Sequence, residues 1–149
     1  MKKCTLALGC FWKPEENFKN KPGIVQTEVG YAGGKSPEVT YEEVCTGKTG
    51  HAEVVRLTFD EGVITFKKIL DLFFKMHDPT QKDMQFPDVG TQYRSEIFYE
   101  NNEQKKEAGE VLNEINKNFN GKIQTNISKL TNYCKAEEYH QKFLEKKRG

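Results

Sequence analysis

The stretch that decides the fold is AEVVRLTFD, residues 52–60. Val55, Leu57 and Phe59 alternate with Val54, Arg56 and Thr58, the period of a β-strand. Glycines at 47 and 50 put a turn directly upstream of it. Downstream, TFKKILDLFFKM (65–76) spaces Phe66, Ile69, Leu70, Phe73 and Phe74 as one face of a helix, with Thr65 as N-cap. On the other side, GIVQTEVGYAGG (23–34) sets Ile24, Gln26 and Glu28 against Val25, Thr27 and Val29, the pattern of a half-buried strand.

Further out, CTLALG (4–9) reads as a mostly buried strand closed by a glycine. PEENFKN (14–20) reads as a helix, with Pro14 in its first turn and Glu15 and Glu16 at its positive end. TYEEVC (40–45) has room for one helical turn, and SEIFYE (95–100) for a strand. NNEQKKEAGEVLNEINKNF (101–119) is a helix stopped by Asn120-Gly121, QTNISKL (124–130) a strand, and AEEYHQKFLEKK (136–147) a closing helix. Between these lies HDPTQKDMQFPDVGTQYR (77–94), punctuated by Pro79, Pro87 and Gly90. A loop that long inside a compact domain tends to be functional. The order β-α-β-β-α-β-α-β-α mixes neighbouring strands with crossovers. It predicts a single α+β domain over residues 1–149, two layers deep, with helices mainly on one face of a mixed sheet.

A chain of 149 residues is long enough to bury one core without staples. Its 23 basic and 22 acidic side chains leave a net charge of +1, so the charge balance recommends neither nucleic acid nor an anionic membrane. No apolar run approaches the roughly 20 residues that span a bilayer, and MKKCTLALG is too short for a secretory signal. The expectation is a soluble, cytoplasmic monomer. Its cysteines, Cys4, Cys10, Cys45 and Cys134, contain no Cys-x-x-Cys and match no zinc spacing, so they are expected as reduced thiols without a metal.

Chemistry concentrates in three clusters. In LALGCFWKPEENF (6–18), Cys10 follows a glycine at a strand's exit and opens a helix, beside Phe11 and Trp12. Peptide N–H groups pointing outward there favour a thiolate, which would make Cys10 a nucleophile. In VCTGKTGHAEVV (44–55), Glu53 stands between Ala52 and Val54. An apolar setting raises a carboxyl's pKa and makes it a proton donor near neutrality. His51 in the same turn is either a supporting residue or a solvated strand entry. In PDVGTQYRS (87–95), Asp88 and Tyr93 offer hydrogen bonds, and Tyr41 offers another phenol.

Together, GCFW (9–12), TYEEVCTGKTGHAEVV (40–55), HDPTQ (77–81), GTQYRS (90–95) and AEEYHQKFL (136–144) resemble the signature segments of the peptide methionine sulfoxide reductase A family. The resemblance keeps their order over nearly the whole chain, and implies a ferredoxin-like core and no cofactor. It implies that Cys10 attacks the sulfur of S-epimer methionine sulfoxide, free or in oxidised proteins, leaving a sulfenic acid. Glu53 would be the acid, and Tyr41 and Tyr93 the hydrogen-bond donors to the sulfoxide oxygen. Asp88 would place water or substrate, while Phe11 and Trp12 would wall the S-methyl group. The chain departs from the family in stopping at EKKRG, without a cysteine-bearing tail. Cys134 is the candidate resolving cysteine, with thioredoxin as reductant; Cys4, in an apolar strand, and Cys45, whose counterpart in relatives is common without a resolving role, are weaker candidates. A one-cysteine scheme resolved by glutathione or glutaredoxin stands against it. Two other readings stay open: a thiol hydrolase using Cys10 and His51, and a non-catalytic module binding methionine-rich peptides through Phe11 and Trp12.

Overall fold

The computed structural model describes residues 1–148, and its sheet is built around the strand read at 52–60. In chain order the elements begin with β1 (Lys2–Leu8), α1 (Trp12–Lys19), β2 (Ile24–Ala32), α2 (Tyr41–Cys45) and β3 (Ala52–Phe59). Next come α3 (Phe66–Met76), β4 (Met84–Gln85), β5 (Asp88–Val89) and a 3-10 turn at Thr91–Tyr93. The chain closes with β6 (Ser95–Tyr99), α4 (Asn102–Asn118), β7 (Asn126–Lys129), β8 (Cys134–Lys135), a second 3-10 turn at Glu138–His140 and α5 (Phe143–Arg148).

The main sheet has six strands in the order β7-β6-β1-β3-β2-β8. All its pairs are antiparallel except β6 with β7, so the sheet is mixed, as expected. Alternation sorts the side chains. Leu6, Val29, Val55 and Ile97 join Phe18 of α1, Leu70 and Phe73 of α3 and Ala108 of α4 in the main core. The other face carries a smaller cluster of Ala7, Ala32, Ala52, Val54 and Phe98, covered by Leu130 and Tyr133 instead of a helix. Helices therefore occupy one face. Capping follows the side chains: Thr65 accepts the Lys68 N–H at 3.1 Å, and Asn101 accepts that of Gln104 at 2.8 Å.

Three elements differ from the sequence expectation. The alternation in β2 breaks at a bulge between Ile24 and Gln26, which leaves Val25 exposed and brings Ile24 onto the same core as Thr27's neighbours Val29 and Tyr31. The loop at 77–94 carries a two-residue hairpin, β4 with β5, besides the 3-10 turn.

The closing helix expected over 136–147 is broken. The Gln141 side chain behaves like a piece of strand: its Oε1 accepts the Val29 N–H, and its Nε2 donates to the Val29 and Ala136 carbonyls, each at 2.9 Å. A continuous helix would carry that amide away from the edge of β2. After β8 the chain instead makes a 3-10 turn at Glu138–His140, passes Lys142 at φ 51°, and only then becomes helical.

Polar side chains also brace the segment after α3. His77 is wedged between the Phe73 carbonyl and the Ser95 hydroxyl, each at 2.7 Å. Burial pushes its pKa down to about 4 despite the Phe73 carbonyl and the Asp78 charge, so the ring is neutral.

Candidate active site

Gly9 turns the chain off the end of β1 with φ 97°, and a Cβ there would come within 3.0 Å of the Gln85 side chain. Only glycine makes this turn without strain. It sets Cys10, half-buried, immediately before α1. On the neighbouring strand Leu6 pairs with Val55, so Glu53 stands level with the exit of β1. The Phe11 N–H donates to Glu53 Oε1 at 3.2 Å, a buried bond that fixes the carboxyl beside the residue following Cys10. Glu53 is 1% exposed. Burial pushes its pKa up to about 8, against the Phe11 N–H and with help from the Asp88 charge. The group is protonated at neutral pH and so has a proton to give.

Cys10 rests differently from the sequence reading. Burial raises its pKa to about 12, outweighing the Trp12 N–H, and the charges of Glu53, Asp88 and Cys45 push the same way. The resting group is a thiol. One N–H at the start of an eight-residue helix does not compensate for the water removed from around the sulfur.

Tyr41 opens α2 and Tyr93 ends the first 3-10 turn; both are half-buried. Burial raises both phenols, with the Cys45 thiol next in importance for Tyr41 and the Glu53 charge for Tyr93. They remain protonated donors. Asp88 starts β5, and its charge reaches Glu53, Cys10 and Tyr93. The HDPTQ segment holds its hairpin. The Asp78 N–H donates to Gln85 Oε1 at 3.0 Å, Gln85 Nε2 donates back to the Asp78 carbonyl at 2.5 Å, and the Phe86 N–H donates to Gln81 Oε1 at 2.7 Å.

The aromatic pair divides. Trp12 is half-buried, stacks on Phe143 at 3.9 Å, and donates its indole N–H to His140 Nδ1 at 3.0 Å. Phe11 is 1% exposed and packs against Tyr31 and His140 at 5.8 and 5.2 Å, so its ring belongs to the core and not, as expected, to an accessible wall.

The C-terminal segment supplies residues that sequence reading did not single out. Glu137 accepts the Tyr31 hydroxyl at 2.8 Å and the Tyr41 N–H at 2.9 Å. The His140 ring lies 4.4 Å from Tyr41. The AEEYHQ motif was visible, but only the fold-back through β8 shows that it holds Trp12 and Tyr41. His51 is elsewhere. Its Nε2 meets the Ser36 carbonyl at 2.9 Å, and its ring fills the space a Gly34 Cβ would need, 2.0 Å from Nδ1. It clamps the loop after β2 and does not activate Cys10, which removes the hydrolase reading. Among the described residues no group of three or more His, Cys, Asp or Glu could hold a metal ion.

A thiol beside a neutral carboxylic acid and two phenols can attack with sulfur while giving a proton to a substrate oxygen. That is the equipment of a thiol-dependent oxidoreductase. The sequence model of the family described as peptide methionine sulfoxide reductase matches residues 2–149. The peptide methionine sulfoxide reductase MsrA of Pelagibacter ubique (strain HTCC1062) is 54% identical over 147 residues, which cover 99% of this chain and all of the relative. Reduced Mxr1 of Saccharomyces cerevisiae superposes with a TM-score of 0.93 at 41% identity, covering 99% of this chain and 86% of that one. Mxr1 in complex with Trx2 matches with a TM-score of 0.68 at 31% identity, over 93% and 83% of the two chains. The chain belongs to the peptide methionine sulfoxide reductase family. It is an oxidoreductase that uses thiols to reduce methionine sulfoxide.

Proposed function

We propose that the chain reduces the S epimer of methionine sulfoxide, free or within oxidised proteins, with Cys10 as nucleophile and Glu53 as proton donor. The reading rests on one observation: the Phe11 N–H holds a Glu53 carboxyl of raised pKa beside the nucleophile. The sulfoxide oxygen lies between the Tyr41 and Tyr93 hydroxyls and takes the Glu53 proton, which makes the sulfur electrophilic. Cys10 loses its own proton to the Glu53 carboxylate and attacks the substrate sulfur, forming an S–S bond. The hydroxyl then passes from the substrate sulfur to Cys10 as the S–O and S–S bonds to the substrate break. The products are methionine and a Cys10 sulfenic acid, and Glu53 ends protonated as it began.

Trp12 walls the S-methyl group, and Asp88 orients the substrate. Burying a methyl contributes about 0.8 kcal/mol. The reductant is a thioredoxin, a reading supported by the complex of Mxr1 with Trx2. The enzyme repairs proteins in a reducing compartment such as the cytoplasm.

The test is incubation with racemic methionine sulfoxide and dithiothreitol. The expected result is conversion of half the material, leaving the R epimer. Full conversion or none sinks the stereochemical assignment.

A further inference from the structure

The thiol that condenses with the Cys10 sulfenic acid has to reach it, and a disulfide needs Cα atoms roughly 4.4–6.8 Å apart. Cys134, the residue suggested by sequence, lies on β8 opposite Tyr31, which itself lies opposite Glu53. Two strand spacings of roughly 4.8 Å each therefore separate Cys134 from the strand of the acid, with the Tyr31 side chain between. Its sulfur is turned toward the Val39 carbonyl at 3.6 Å, in a groove beside Thr40 and Glu43. To meet Cys10 it would have to leave the sheet.

Cys45 is placed otherwise. It ends α2, one helical turn after Tyr41, with its thiol beside the Tyr41 hydroxyl. Gln92 Nε2 donates to the Cys45 carbonyl at 3.4 Å, which ties the end of α2 to the turn carrying Tyr93. Tyr41 in turn meets His140, and His140 meets Phe11. The end of α2 is thus tied to the Tyr41 phenol on one side and to the turn carrying Tyr93 on the other. Cys45 lies near enough to Cys10 for its charge, once ionised, to raise the Cys10 thiol. Cys45 is exposed and leads into Gly47, whose φ is 76° and beside which Gln92 Oε1 lies 3.9 Å from where a Cβ would stand.

From the cluster formed by Cys10, Tyr41, Tyr93 and Cys45, we infer that Cys45 is the resolving cysteine of this enzyme. The inference rests on the reading of Cys10 given above. Cys45 attacks the Cys10 sulfenic acid, the S–O bond breaks, an S–S bond forms, and the hydroxide leaves as water with the Cys45 thiol proton. Cys45 sulfur is oxidised and Cys10 sulfur reduced. A dithiol of the thioredoxin class then attacks the exposed Cys45 sulfur, releases Cys10 as leaving thiol, and finishes as a disulfide itself.

The experiment is one round of reaction with methionine S-sulfoxide in the absence of reductant, followed by thiol counting and peptide mass spectrometry. The wild type is expected to release a stoichiometric burst of methionine, lose two of its four thiols and yield a Cys10–Cys45 linked peptide. Cys45→Ser should still release a burst, which shows that it is folded, but should retain a sulfenic acid trapped by dimedone. Its steady turnover with a thioredoxin should fall at least about tenfold. Cys134→Ser should still form the Cys10–Cys45 link. A Cys10–Cys134 peptide from the wild type, or loss of two of the three remaining thiols in Cys45→Ser, overturns the assignment while leaving the reductase reading intact. Absence of any methionine burst from the wild type overturns both.

Discussion

Cys10 and Glu53 hang from β1 and β3, neighbours in the middle of a six-stranded sheet, whereas Tyr41, Asp88 and Tyr93 ride on a five-residue helix, a two-residue strand and a three-residue turn. The first pair is fixed by ladder hydrogen bonds and a buried carboxyl. The second group is fixed by side-chain amides: Gln81 and Gln85 hold the hairpin, and Gln92 holds α2. On the proposed reading, the groups assigned to bond making and breaking sit on the central sheet, and the groups assigned to the oxygen sit on short segments outside it. If this division is correct, damage to the sheet-borne pair should remove chemistry, and damage to the loops should degrade alignment.

The largest effect is expected from Glu53→Gln. The amide keeps an acceptor for the Phe11 N–H but has no proton to give, and loss of a general acid costs about 10²–10⁴-fold in rate. Steady-state assays should show the loss in kcat. In the wild type the active form carries the proton, so activity should fall as pH rises through about 8. The variant should lack that limb. A variant with the same limb would move the titration to another group and blur the comparison.

Next are Tyr41→Phe and Tyr93→Phe. Removing one donor from a shared oxygen site should lower kcat by roughly 10–10²-fold with little change in KM. The double variant should lose more than either single one. Unchanged kcat in both would break the assignment of the loop half.

Gln85→Ala probes the brace alone. It deletes the reciprocal bonds to Asp78, each contributing about 1 kcal/mol, and should reduce kcat/KM about five- to tenfold by loosening the hairpin that carries Asp88. Denaturant melts should place the stability loss at about 2 kcal/mol or less.

The smallest effect on turnover is expected from Cys4→Ala. Cys4 is fully buried opposite Leu57, and burial raises its thiol beyond use. The substitution should cost about 1 kcal/mol of stability and leave turnover unchanged. Lost turnover would show that the sheet itself is coupled to the chemistry.

The sheet-borne half was legible because alternation and glycine placement are local signals. AEVVRLTFD fixed the central strand, and Gly9 marked the turn that presents Cys10. The hairpin at 84–89 escaped because two-residue strands have no period to read. The C-terminal fold-back escaped for a different reason. AEEYHQKFLEKK has helical composition, and the strand-like bonding of Gln141 to Val29 depends on an edge more than a hundred residues upstream, |i−j| = 112. Resting protonation of Cys10 was also hidden, since local dipoles can be read from sequence but solvent exclusion cannot. Legible motifs, then, named the participants and left their charge states to the packing.

The wedged ring of His77 has a consequence for handling the protein. Its pKa lies near 4 in the folded chain against an ordinary 6.5, so the unfolded chain binds more protons between those values and stability drops as acid is added. Glu53 behaves in mirror image. Its folded pKa of about 8 against 4.5 means the native form binds more protons there, so stability drops as base is added. Below about 6.5 the His77 slope cancels that of Glu53, while His51 and His140, whose pKa values burial also lowers, add to the loss in acid, so the protein should keep best near pH 6.5.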